Sequence, residues 1–184
     1  MTLNTTSRAL HDLGLSAWFG GTLANAVALN AAAGEADLAG NKGAVANVGW
    51  DRWTPVNAAA IGAHLVGSLG QLAGNKDRVA AQQGVGSMVV AKTALTAAAL
   101  GATAYSRALG NRVAQHTHVP VESGTQPADQ TPTGVAQAQK RLAVLQWVVP
   151  ALTGTLVVVS SFAGEQQRAV AQRQGIVQRL LPGS

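Results

Sequence analysis

The sequence predicts an all-α integral membrane bundle of four transmembrane helices followed by an amphipathic C-terminal helix. Two observations carry that prediction. Charged residues make up only 11% of the 184 residues, against 47% hydrophobic, which is too little charge for the surface of an ordinary soluble domain. The uncharged residues also fall in four long runs: Leu13 to Gly34, Trp53 to Asn75, Val79 to Ser106 broken only by Lys92, and Leu142 to Gly164. A helix needs about 20 apolar residues to cross the hydrocarbon core, and each run is long enough. A soluble Ala-rich bundle is the competing reading, but no run carries the charged outer face it requires.

The spans are placed at about 13–33, 54–74, 82–106 and 142–163, within a single membrane domain covering 1–184. All are rich in Ala and Gly rather than Leu, so each insertion signal is weak for its length. Arg8, the apolar run after it and Ala24-Asn25-Ala26 imitate a cleaved signal peptide. The run is too long for that, and Trp18, Gly20 and Gly21 interrupt it. Pro150 inside the fourth span removes a backbone donor and predicts a kink.

The connections read as polar. Residues 35–52 predict a Gly-containing loop, Lys76-Asp77-Arg78 a tight turn, and 110–139 an extended mobile loop holding Pro120, Pro127 and Pro132. Residues 165–182 repeat Gln and Arg with Val170, Ile176, Val177, Leu180 and Leu181, a basic amphipathic helix for the headgroup zone. Four spans put both termini on one side. Trp50, Trp53, Tyr105 and Trp147 then gather near one surface, and Trp18, Phe19 and Phe162 near the other. Lys and Arg divide six to six between the sides, so the preference for a cytoplasmic cell-membrane terminus rests only on the acids of the opposite side.

Small residues predict how the helices meet. Ala59, Ala63 and Gly67 are four apart, as are Ala97 and Gly101, and such spacing lets backbones approach closely in lipid. It serves equally within one chain and between chains.

Polar residues inside the spans are the candidate ligand-binding site. Counting about 1.5 Å per residue from the terminal side, Asn25, His64, Lys92 and Thr153 fall at about 15–18 Å, one from each span. Facing inward they form a midplane cluster for a small polar ligand, an anion or a proton. The competing readings are a snorkelling lysine and a histidine satisfied between helices. By the same count His11 lies about 15 Å from the His64 level, which separates the two as haem ligands and leaves each as at most a single axial ligand. His116 and His118 form a weak two-ligand surface pair.

Other chemistry is missing. The 13 Lys and Arg against eight acids are scattered, and aromatics are 4%, which argues against nucleic acid as a partner. Cysteine is absent, and with it thiol catalysis. No nucleophile elbow, phosphate loop or dinucleotide fingerprint occurs, and no catalytic residue is assigned.

His11 and the residues after it, through Trp18-Phe19-Gly20-Gly21, read H-x6-W-x-G-G. This segment of eleven residues resembles the opening helix of small bacterial membrane proteins of the copper-resistance D (CopD) type. It is more distantly similar to that of HemJ-type protoporphyrinogen oxidases. The resemblance implies a four-helix membrane bundle and a role near a metal or tetrapyrrole for His11 alone. The Met- and His-rich segments of the copper type are absent here.

The sequence therefore predicts a multi-pass membrane protein, non-enzymatic in the first reading. That reading is a structural or accessory subunit with the bilayer as partner, self-associating or docked in a larger membrane complex, with no cofactor expected. The alternative is a ligand-handling bundle, either a haem-linked oxidoreductase or a small transporter.

Overall fold

The computed structural model describes residues 2–76, 85–116 and 119–180, with side chains described for 5–38, 41–76, 86–116 and 119–165. Within them every named element is helical: α1 (Thr2–Ala24), a π-helical turn (Asn25–Leu29), α2 (Asn30–Gly34), α3 (Ala39–Gly74), α4 (Val85–Ala114) and α5 (Thr133–Leu180). An isolated bridge between Val121 and Pro127 is the one extended pairing among the described residues. Ala24 and Asn30, which flank the π-turn, both keep right-handed helical dihedrals, so α1, the turn and α2 form one continuous rod.

That rod runs antiparallel to α3, with which it shares the most extensive interface. Gly14 meets Ala60 and His64, the Trp53 ring lies on Gly21, and Leu29 lies on Gly49. α4 and α5 form the second antiparallel pair, with Leu109 and Val113 against Val135 and Ala138. α5 also runs antiparallel to α1, with Phe19 on Gly154 and Arg8 near Gly164. Up-down-up-down order follows from these antiparallel contacts. Trp18, Ala60, Ala99 and Val149, one from each long helix, form the central core.

Several expectations are corrected. Residues 39–52 are not a loop; they are the first turns of α3. The stretch 110–139 is neither extended nor entirely loop, because α4 runs to Ala114 and α5 begins at Thr133. Between them the chain is tied into a compact knot. Glu122 N–H donates to the Gln126 carbonyl at 2.9 Å, Thr131 Oγ1 to the Pro120 carbonyl at 2.6 Å, and Gln139 Nε2 to the Ser123 carbonyl at 3.3 Å. The basic tail is not a separate helix but the continuation of α5, and the helix also passes through Pro150. Asp77 and Arg78 of the expected turn, the side chains of the tail's apolar face and His118 lie outside the described residues.

Two helices are long and apolar enough to cross a membrane by length and composition, Gly86–Ala114 and Thr133–Glu165. α1 and α3 are long enough but fall short in hydropathy among the described residues. The reason is their composition: Ala, Gly, Asn and Thr fill their uncharged runs in place of Leu and Val.

Candidate functional site

The α1–α3 contact decides the site. His11, Gly14, Trp18 and Gly21 recur every three to four residues and so share one face of α1. On α3, Ala60, His64 and Gly67 do the same. A side chain at Gly14 would run into the Ala60 carbonyl and the His64 amide; one at Gly67 would run into the Ser7 carbonyl and the His11 backbone. Only glycine permits this backbone approach, and the approach presses His11 onto His64.

Their ring centres lie 4.6 Å apart with a tilt of 48°, and each residue is only 1% exposed. The Trp18 ring stands 6.1 Å from His64 on the other side. Lys92 reaches in from α4, with Nζ 3.4 Å from His11 Nε2, while His11 Nδ1 is 2.7 Å from Asp12 Oδ1. One tautomer serves both contacts: Nδ1–H donates to the carboxylate and Nε2 accepts from the ammonium. Both nitrogens of His64 are buried without a well-formed hydrogen bond, with the His11 backbone beside the ring. Histidine, histidine and lysine thus converge from three helices.

The candidate residues divide accordingly. His64 and Lys92 meet at this cluster, and His11 joins them instead of lying a half-bilayer away. Counting from the ends of the uncharged runs separates it from His64, but α1 starts at Thr2 and α3 at Ala39, so the helices pair in a shifted register. Asn25 is not at the cluster. It sits in the π-turn, 14 residues beyond His11 and hence about 20 Å along the rod, with its Nδ2 buried and unpartnered. Thr153 is fully buried in α5, and its hydroxyl donates to its own helix at Val149, 2.9 Å away. It lies at the level of Phe19 and Gly154, outside the histidine contact. His116 Nδ1 lies 3.0 Å from the Arg112 carbonyl. Trp18 is an interior residue, 0% exposed, as is His11 at 1%. The repeat of His11, Gly14, Trp18 and Gly21 was the readable signal for the pairing.

A metal or tetrapyrrole must fit these residues. Two imidazoles ligating one haem iron from opposite faces hold their ring centres about 6 Å apart. At 4.6 Å and tilted, His11 and His64 leave no room for a porphyrin between them. No group of three His, Cys, Asp or Glu side chains is placed to hold a metal ion among the described residues.

Fold and cluster together define an all-helical bundle with a buried dihistidine–lysine contact. No protein-family model, no curated protein and no solved structure matches the chain.

Proposed function

We propose that this chain is a four-span cell-membrane protein that handles a small anionic ligand at His11, His64 and Lys92. One observation carries the reading: His64 keeps two unpartnered buried nitrogens beside an ammonium that contacts a single ring nitrogen. Buried polar groups without partners are costly; an anion accepts from the imidazole N–H and from the ammonium, and a hydroxyl on the same guest can donate to the other ring nitrogen. The four-span arrangement is supported by the apolar side chains left exposed on each of the four long helices, including Leu13, Val66, Val90 and Val158, a pattern suited to lipid.

The test is purification in mild detergent, with absorbance, mass and extraction of co-purifying small molecules. An acidic molecule should accompany the wild type and be lost from Lys92→Ala and His64→Ala, while their helical circular dichroism persists. Absence of any such molecule, with both variants melting like the wild type, overturns the reading. A Soret band would assign haem on a single histidine instead.

A second reading, a structural subunit that self-associates or joins a larger complex, is favoured by Ala97 and Gly101. Both are exposed on α4, and Gly101 has open space before it. Gly101→Leu should then halve the mass measured in detergent; an unchanged mass removes that reading.

A further inference from the structure

A separate space opens between α3 and α4, which touch each other sparsely along their length. The cavity holds about 320 Å³ and its walls are largely apolar, with Ile61, Leu100, Leu142, Leu145 and Val149 among them. Trp18 separates it from the histidines. On one side the indole faces His64; on the other its Nε1 donates to Thr103 Oγ1, on the cavity wall, at 3.3 Å.

The wall's hydroxyls offer little to a polar guest. Thr22, Thr54 and Ser106 donate to carbonyls of their own helices at 2.7–2.8 Å. The charged residues of the lining are Arg107 and Asp51, beside the amides of Asn30, Asn47, Asn57 and Gln146. One terminal nitrogen of Arg107, Nη2, lies 2.9 Å from Asp51 Oδ1, and the arginine side chain remains 39% exposed. A guanidinium has five donors in a fork matched to a carboxylate, so Arg107 retains capacity for a second acid. At about 30 Å³ for a water-sized group, the cavity takes about ten methylene-sized groups.

We propose that this cavity binds a single-chain carboxylic acid of medium length, its chain against Ile61, Leu100 and Val149 and its carboxylate on Arg107. A two-chain phospholipid exceeds the volume, and an uncharged hydrocarbon leaves Arg107 unused. The site does not depend on the histidine cluster, and the two readings fail separately.

Trp50 and Trp53 line the cavity, so a terminally brominated undecanoic acid should quench their fluorescence in the full chain reconstituted in nanodiscs. We expect saturable quenching, weakened at least about tenfold in Arg107→Gln and tightened in Asp51→Asn, which frees the guanidinium. Ala104→Phe, which fills the cavity, should abolish saturation while leaving circular dichroism unchanged. Quenching that rises linearly without saturation, that survives Arg107→Gln undiminished, or that a brominated undecanol reproduces with equal affinity overturns the proposal.

Discussion

At the scale of single residues, glycine and lysine show opposite balances between packing and polarity. Gly14 and Gly20 differ by six positions on the same helix, yet their surroundings are unlike. Gly14 faces α3 backbone, whereas Gly20 faces open space. Gly20→Ala should therefore stabilise the protein by about 0.5–1 kcal/mol through helix propensity alone. Gly14→Ala forces the two helices apart and should cost about 1–3 kcal/mol, as overpacking does; thermal melts in one detergent compare the two. Lys92 poses the reverse question. Removing its ammonium deletes a long 3.4 Å contact to His11, weak at that distance, and leaves the buried His11 Nε2 without that donor. Replacing the charge by an apolar side chain of similar length relieves desolvation. Lys92→Met should raise stability by about 1 kcal/mol. A lower melting temperature would show that the lysine is held by packing and not by its ligand.

At the scale of elements, the sequence disclosed more about where helices lie than about how they pair. Charge-free runs mark helix interiors because lipid-facing and core-facing residues both exclude charge. They do not mark helix ends, because backbone hydrogen bonding continues into polar residues: α3 includes Lys42, Asp51 and Arg52, and α5 extends through its basic tail. A register reckoned from those ends placed Asn25 level with His64 and left His11 out. The small-residue spacing of Ala59, Ala63 and Gly67 identified the right helix, but Ala59 faces outward and Gly67 makes the close approach. Nor did composition reveal the knot at 119–131, since Pro, Ser and Thr serve tight hydrogen-bonded turns as well as extended chain. Asn30 joins that knot to the helices. Its Oδ1 accepts from Trp50 Nε1 at 3.1 Å, its Nδ2 donates to Gln146 Oε1 at 2.7 Å, and Gly124 rests against it. Asn30→Ala strands the Trp50 donor and the Gln146 acceptor, a loss of about 2 kcal/mol or more. Hydrogen exchange should show faster amide exchange across residues 119–131 in that variant, and unchanged protection there would remove Asn30 as the link.

At the scale of the whole molecule, the distribution of polarity sets how the chain sits in the bilayer. The polar contacts turn inward, from His11 and His64 to Asn30, while Leu13, Val56, Val90, Val144 and Phe162 face out. If all four long helices cross, Asp37 and Glu122 lie on one side, and Gly74 and Glu165 on the other. If only the two strongly apolar helices cross, Asp37 joins Gly74 and Glu165, and Glu122 alone stands opposite. Asp37 therefore separates the arrangements. The chain has no cysteine, so Asp37→Cys, Gly74→Cys, Glu122→Cys and Glu165→Cys each report from one known position without background. In sealed vesicles of one orientation, an impermeant maleimide should label Asp37→Cys together with Glu122→Cys and should not reach the other two. Labelling of Asp37→Cys with Gly74→Cys and Glu165→Cys instead would confine the crossing to α4 and α5. It would also place the His11–His64 contact outside the hydrocarbon, where water competes for the unpartnered nitrogens and the case for a bound anion loses its physical basis.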